Sequence, residues 1–541
     1  MHSKPGPLLR RAAAGLACAA AAAAVVTLTR TARRPEKRVP PVRWLPCDQV
    51  LTGAPPVDPK VADCAVHHVP RDHSKPSQGT VKVVMLRRKA SDQTRRKGSV
   101  FVNPGGPGQS GLHFAYRAET YLAPEVLARY DVIGFDPRGV GQSDPVKCFS
   151  SQDETDTASR GKLKIPVSPA EIAATLQSHA AYTDSCQRKA GPLLSHMTTL
   201  NVARDLDLLR QGIGADRLNF VGFSYGTMIG ATYANVFPQQ TGALVLDGNI
   251  DPLLRMTDGA EYERQRARGA EETLTAFLRS CKENNERCAF GENDPEAKFH
   301  ELHEKLRHTP LVLPDGTTVD LSSFTDYVTT ALSAGDLSGL ARALTDLHAI
   351  IMSETALPVT GAASAFAAPI PQRGQRYCTT NAPYRGDDSG NAVNCADKPY
   401  SGSAACRPIF AEEWEQESPV FGRWHAFEDA PCATWPVRWS DTDRYTGPWN
   451  QPTSRTVLVL GNRFDPITQH VFAERMAALL ANAHLVTVDQ FGHTALGNNA
   501  CAEKLVSHYL LQGYVPRSGT VCPPDTPPFT SEETSAEKHL W

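Results

Sequence analysis

Gly222-Phe223-Ser224-Tyr225-Gly226 sets a serine between two glycines. A serine hydroxyl becomes a nucleophile only when a base takes its proton and a carboxylate orients that base. The apolar run Leu218–Val221 before the motif reads as a strand, and the run from Tyr225 to Phe237 as a helix. A G-x-S-x-G turn between strand and helix is a nucleophile elbow, which lifts the hydroxyl above the sheet edge on a strained backbone. The flanking glycines keep side chains out of that tight turn. The base should follow in the order Ser…Asp/Glu…His. His493, in Gln490-Phe491-Gly492-His493-Thr494, lies just past the apolar run His484–Val488. Two aspartates compete for the acid. Asp465 follows the run Thr456–Leu460, one strand before the histidine; Asp247 follows Ala243–Leu246. Asp465 is preferred, and Asp247 has a second reading as a loop brace. A tetrahedral intermediate also needs N–H donors. One is the backbone of Tyr225; the other comes from Asn103-Pro104-Gly105-Gly106-Pro107-Gly108, with Gly106 preferred and Gly105 the alternative.

Other patterns point to less. Gly106-x-Gly108-x-x-Gly111 matches a dinucleotide fingerprint, but Pro107 interrupts it and no helix is expected to open from it. His300-Glu301-x-His303 misses the i, i+4 spacing that puts two zinc ligands on one helical face. Asp136 and Arg138, after the run Asp131–Phe135, are expected to brace a loop beside the elbow.

The elements that must position these groups form two patterns. Between residues 80 and 250, apolar runs at Val81–Leu86, Ser99–Val102, Asp131–Phe135, Leu218–Val221 and Ala243–Leu246 alternate with helical periodicity. Val202, Leu206 and Leu209 mark one helix, which stops near Gly212. Near-continuous apolar strands separated by helices imply a parallel sheet covered on both faces. From 258 to 308 the chain is charged and helical in period, and Asp315-Gly316 marks a small hairpin. Helical stretches near 322–334 and 337–353 follow, then an Ala/Pro-rich linker at 358–371 and an aromatic segment holding Trp414, Trp424, Trp435, Trp439 and Trp449. The sheet pattern returns after 450. The expected fold is an α/β-hydrolase, mostly parallel, with helices on both faces and a helical cap insertion. Its boundaries are 1–35 for a signal peptide or N-terminal anchor, 36–250 for the first part of the core, 251–440 for the cap and 441–541 for the rest of the core.

With 541 residues, 56 Lys and Arg against 58 Asp and Glu, and 41% hydrophobic residues, the chain is globular and lacks the basic excess of a nucleic-acid binder. One long apolar run, Ala12 to Thr29, follows Lys4, Arg10 and Arg11. That is a secretory pattern. Cys18 inside the run offers a lipidation site, and an uncleaved anchor is the alternative, so any membrane attachment is through the N-terminus. Setting Cys18 aside leaves 12 of the 13 cysteines, with no C-x-x-C. This fits a disulfide set in an oxidising compartment, secreted or cell-surface. Local closure pairs Cys47–Cys64, Cys148–Cys186, Cys281–Cys288 and Cys501–Cys522, and leaves Cys378, Cys395, Cys406 and Cys432 to be sorted among themselves.

As a set, NPGGPG (Asn103–Gly108), DVIGFDPRGVGQSD (Asp131–Asp144), GFSYG, LGNRFD (Leu460–Asp465), GH at His493, and the stretch with PCATWP, FGHTALGNNAC and VPRSGTVCPP resemble the secreted tripeptidyl aminopeptidase family of α/β-hydrolase serine peptidases, relatives of the proline iminopeptidases. The resemblance covers most of residues 45–525. It implies a serine peptidase that cleaves peptides or proteins near a free N-terminus, with no metal or organic cofactor. Proline iminopeptidases usually carry His where this chain has Pro104, a departure from single-proline release. An aminopeptidase needs a group that recognises the substrate ammonium, commonly a buried carboxylate. Glu261, Glu263, Glu271 and Glu272 are the candidates. An ester or lipid substrate is the second reading, and a binding protein on an inactive scaffold the third.

Overall fold

A computed structural model describes residues 39–529 except 54, 314–315, 353–365, 367–383, 385, 401, 439 and 441. The expected signal segment, most of the 358–371 linker, Cys378 and Trp439 lie outside the described residues. Strands β1 (Ala62–Pro70), β2 (Thr80–Arg88), β3 (Gly98–Asn103), β4 (Tyr130–Phe135), β5 (Leu218–Phe223), β6 (Thr241–Asp247), β7 (Leu311–Val312), β8 (Thr318–Val319), β9 (Val457–Phe464), β10 (Ala483–Phe491) and β11 (Thr520–Cys522) are described. Nine form one sheet in the order β1-β2-β4-β3-β5-β6-β9-β10-β11. β2 runs antiparallel to both β1 and β4, and every other neighbouring pair is parallel.

Alternation along the central strands explains the two-sided cover. Phe220, Leu244, Leu246, Val457 and Val459 face one core, shared with Leu206, Met228, Ile229 and Phe472 of the helices Thr199–Gly212, Tyr225–Val236 and His470–Leu479. Val221, Ala243, Val245, Leu458 and Leu460 face the other, shared with Leu112, Ala115, Val506 and Tyr509 of the helices Gly111–Tyr116 and Ala500–Gln512. The middle of these strands is therefore mostly apolar on both faces, as a sheet covered on both sides requires, and polar residues such as Asp247 and Asn462 come toward the carboxyl ends. The fold is an α/β-hydrolase fold.

β6 and β9 are neighbours in the sheet although the helices between residues 252 and 428 separate them in sequence. Those helices carry their own apolar core, in which Leu274, Phe277, Phe299, Leu302, Phe324, Val328, Leu340 and Leu344 are fully or nearly fully buried. The charged sequence from 258 to 308 resolves into two helices, Gly259–Glu283 and Pro295–His308, and the small hairpin is β7–β8. The tryptophans do not gather in one place. Trp414 stacks on Phe410 in a satellite cluster, whereas Trp435 and Trp449 join the main core.

Five disulfides close the described chain: Cys47–Cys64, Cys148–Cys186, Cys281–Cys288, Cys395–Cys432 and Cys501–Cys522. Four are the locally closing pairs read from spacing. The fifth sorts Cys395 with Cys432 and leaves Cys406 unpaired among the described residues.

Candidate active site

Asn103, Phe223, Asp247, Phe464 and Phe491 end β3, β5, β6, β9 and β10, which stand side by side in that order. The five carboxyl-end loops therefore meet along one edge, where sites in open α/β sheets gather. Ser224 leaves β5 at φ 52°, ψ −123°, a left-handed conformation that costs a non-glycine residue energy. Close packing enforces it. A Cβ on Gly222 would lie 2.4 Å from the Gly226 carbonyl oxygen, and one on Gly226 would lie 2.7 Å from that of Asn103. The Ser224 N–H donates to the Asp247 carbonyl (2.9 Å), which pins the elbow to the end of β6.

His493 must reach back across the strand ends from β10, and three contacts draw its loop in that direction. Gly492 N–H donates to the Phe464 carbonyl (3.1 Å). The buried Asn462 amide donates to the Gly492 and Thr494 carbonyls, both at 2.8 Å, gripping the backbone on either side of His493. The Asp247 carboxylate accepts the N–H groups of Ala495 (2.9 Å) and Leu496 (2.9 Å). Asp247 is thus a brace that ties the histidine loop to the strand beside the elbow. Burial pushes its pKa up to about 7, against the pull of those two N–H groups. Gly248, the next residue, lies against the imidazole: a Cβ there would stand 3.2 Å from His493 Cε1.

Asp465 is the carboxylate on the imidazole. Its Oδ2 lies 2.9 Å and its Oδ1 3.1 Å from His493 Nδ1. The aspartate side chain is 0% exposed and the histidine 20%. Oδ1 also accepts the N–H groups of Ile467 (2.8 Å) and Thr468 (2.9 Å), and Oδ2 accepts the Thr468 hydroxyl (2.9 Å). A carboxylate bound by that many donors is acceptor-only, so Nδ1 carries the imidazole proton and Nε2 presents its lone pair. Among the described residues Ser224 Oγ makes no hydrogen bond. The structure thus joins His493 to Asp465 directly and brings Ser224 to the other side of Asp247-Gly248.

The glycine loop after β3 closes over the elbow. Gly105 is the residue in contact: a Cβ there would lie 2.6 Å from the Phe223 carbonyl oxygen and 2.9 Å from both Ser224 Cβ and Tyr225 N. Its own N–H is occupied by Asn103 Oδ1 (3.0 Å). The N–H groups of Gly106 and Tyr225 make no hydrogen bond among the described residues, and Gly106 is exposed. Contrary to expectation, a short helix, Gly111–Tyr116, does open after this loop. Its N-cap, Ser110, donates to the buried Asp136 (2.5 Å), which also accepts from Gly111 and Gln142 N–H groups. Burial lifts Asp136 to about 6. Arg138, wholly buried, pairs with Asp205 through two bonds of 2.7 and 2.6 Å and donates to three carbonyls, those of Pro70, Arg71 and His196. Both are braces, and the Arg138 salt bridge ties its loop to the helix Thr199–Gly212.

The four glutamates separate. Glu263 is consumed by Lys398 (2.6 Å), Arg266 (2.7 Å) and His425 (3.1 Å) in a buried cluster, and the Arg266 and Lys398 charges with the His425 hydrogen bond hold its carboxyl well below the usual range despite burial. Glu261 accepts from Gln265. Glu271 and Glu272 line a cleft of about 480 Å³ with Arg268, Arg279, Glu417 and Phe464. Phe464 immediately precedes Asp465 and stacks on Phe491, two residues before His493 (ring centroids 4.5 Å). Burial raises Glu271 to about 7. In the His300–His308 stretch, Glu301 pairs with His348 and His303 with Glu304.

A sheet edge that carries elbow, acid and histidine loop in this order defines an α/β-hydrolase. A family model described as alpha/beta hydrolase fold matches residues 98–306, and one described as TAP-like protein matches 418–522. The chain is 30% identical to Serine protease Hip1 of Mycobacterium tuberculosis (strain ATCC 25618 / H37Rv), over 89% of this chain and 91% of that one. It is 29% identical to the Tripeptidyl aminopeptidase of Streptomyces lividans (87% and 85%) and 29% identical to Carboxylesterase B of Mycobacterium tuberculosis (strain ATCC 25618 / H37Rv) (90% and 90%). The chain belongs to the tripeptidyl aminopeptidase-like family of α/β-hydrolases, and it is a serine hydrolase.

Proposed function

We propose that this protein is an exported serine peptidase that hydrolyses peptide bonds near a free N-terminus. Ser224 Oγ attacks the scissile carbonyl while His493 Nε2 takes its proton. Asp465 fixes the imidazole tautomer and faces the charge that forms on it. The N–H groups of Tyr225 and Gly106 receive the oxyanion. His493 then protonates the leaving amine, and water attacks the acyl-enzyme by the same route. The observation that carries this reading is the 2.9 Å contact between His493 Nδ1 and Asp465 behind a strained serine elbow.

The helices of residues 251–440 act as the cap. A peptide's ammonium group finds carboxylates in the cleft beside Phe464, at Glu271 and Glu272, whereas Glu263 is already neutralised. Five disulfides support export, since such bonds persist in oxidising compartments. Among the described residues no helix is long and apolar enough to cross a membrane. The similarity to Carboxylesterase B favours ester hydrolysis as the second reading.

Mass spectrometry of products from a ladder of peptides, each with a free or an acetylated N-terminus, separates the two. The proposal expects short N-terminal fragments from free peptides, none from acetylated ones, and none with Ser224→Ala. Equal cleavage of blocked peptides, or turnover of esters alone, contradicts it.

A further inference from the structure

Tyr225 contributes its backbone N–H to the proposed oxyanion site, yet its side chain is also tied down. The ring is buried, and its hydroxyl lies 2.6 Å from Thr199 Oγ1. Thr199 Oγ1 in turn lies 2.5 Å from Asp397 Oδ2, and Thr199 N–H donates to Asp397 Oδ1 (3.0 Å). Asp397 is wholly buried. A carboxylate accepts only, so the threonine proton goes to Asp397, and the tyrosine proton must then go to the threonine. The chain Tyr225 → Thr199 → Asp397 therefore has one direction and is fully satisfied.

Asp397 ends the helix Ser389–Asp397. The same helix touches the other oxyanion donor's loop at its opposite end. A Cβ on Gly108 would stand 2.9 Å from Ser389 Oγ and 3.1 Å from Gly390 N, and one on Gly390 would stand 2.8 Å from the Pro107 carbonyl oxygen. Asp387, just before the helix, accepts the N–H groups of Gly141 (3.2 Å) and Ser389 (2.8 Å). Midway, Asn394 accepts from Arg255 (2.8 Å), whose guanidinium lies 5.7 Å from the centre of the Tyr225 ring. Gly390, Asn391, Asn394 and Asp397 are poor helix formers, so the helix owes its form to tertiary ties. One of these is the Cys395–Cys432 disulfide.

We propose that the helix Ser389–Asp397 is a strap that sets both oxyanion donors, and that Asp397, acting through Thr199 on the Tyr225 hydroxyl, is a positioning residue for the reaction. The inference rests on the serine-hydrolase reading of the site above. An oxyanion donor works only within a few tenths of an ångström of the developing charge, and losing one costs about 10²–10³ in kcat. Freeing the tyrosine side chain shifts that donor without removing it, so a smaller loss is expected, about 10- to 100-fold, with KM within about twofold.

The test compares kcat and KM for p-nitrophenyl butyrate and tri-alanine p-nitroanilide, and the rate of labelling by a fluorophosphonate. The variants are Tyr225→Phe, Asp397→Asn, Thr199→Val, Thr199→Ser and the pair Tyr225→Phe/Asp397→Asn, with thermal melts to confirm folding. Thr199→Ser keeps the relay and should keep kcat, whereas Thr199→Val should lose it. The double variant should lose no more than Tyr225→Phe alone, because both changes break one chain. Equal kcat for the serine and valine variants, multiplying losses in the double variant, or a loss confined to KM would overturn the proposal. Ser224→Ala, run alongside, separates the two levels. If it retains turnover and labelling, the site reading fails. If it is inert while the losses multiply, only the strap fails.

Discussion

Replacing Asp465 by asparagine tests the acid by geometry instead of by deletion. The two carboxylate oxygens have different neighbours. Oδ1 faces two backbone donors, Ile467 N–H and Thr468 N–H, with a longer 3.1 Å contact to His493 Nδ1; Oδ2 faces Nδ1 at 2.9 Å and the Thr468 hydroxyl. An asparagine must choose which side its NH₂ takes. Turning the NH₂ toward the backbone would leave two buried N–H groups without acceptors, at about 1–3 kcal/mol each. That outweighs the single bond to the imidazole, so the amide oxygen should take the Oδ1 place and the NH₂ should point at Nδ1. Nδ1 then becomes the acceptor, the imidazole proton moves to Nε2, and the base has no lone pair for Ser224. A wrong-tautomer triad loses about 10⁴ in kcat, or about 5 kcal/mol of barrier. KM should change little, because no substrate contact is removed. Asp247→Asn is the control: an amide oxygen in the Oδ2 place still accepts from Leu496 (2.9 Å) and Ala495 (3.0 Å), and the side chain makes no hydrogen bond to the imidazole, so the change should cost stability but far less kcat. Steady-state kinetics on the same p-nitroanilide decides. Asp465→Asn within tenfold of wild type, or Asp247→Asn as damaging as Asp465→Asn, would refute the assignment.

Gly105→Ala should abolish activity, since its φ is 102° and the new Cβ would meet the Phe223 carbonyl at 2.6 Å. Gly513→Ala, at φ 74° with no atom within 4 Å, should cost only about 1–2 kcal/mol of stability and no activity. Replacing both Cys395 and Cys432 by alanine, which opens a separation of 37 residues, should lower stability by about 4 kcal/mol on the chain-entropy account, read by urea titration. Asp247 titrates near 7 when folded and near 3.8 when unfolded, so the native state holds the extra proton between those values and stability should fall as pH rises from about 4 to about 7. In Asp247→Asn this fall should lessen by up to about 1.4 kcal/mol per pH unit; parallel urea-midpoint profiles for the two proteins would contradict the assignment.

The sheet was legible because its central strands are buried on both faces, so Ala243–Leu246 shows as an unbroken apolar run and Leu218–Val221 as one broken only by Asn219. β1 was missed because Ala62–Pro70 mixes His67, His68 and Asp63 with apolar residues at an antiparallel edge, and β11 is only three residues long. The helix Ser389–Asp397 was missed because its buried stripe, Ser389, Ala392, Val393 and Ala396, is short and weakly apolar and lies among the poor helix formers Gly390, Asn391, Asn394 and Asp397. Ser224, Asp465 and His493, the proposed triad, were read from motif and chain order, and the structure joins the last two by a hydrogen bond. Asn462 and Thr468 did not: a polar residue within a strand or a turn reveals its partner only once the loop after β10 folds back over β9. Asp247 fitted two roles in sequence, and only its hydrogen bonds to Ala495 and Leu496 separate a brace from an acid.

In the proposed reaction one hydroxyl, made reactive by His493, does the chemistry. Intact-mass and peptide-level mass spectrometry after treatment with a fluorophosphonate tests it most directly. One adduct per chain is expected, on Ser224, absent in Ser224→Ala and formed far more slowly in Asp465→Asn. An adduct on another residue, or undiminished labelling of Ser224→Ala, would contradict it.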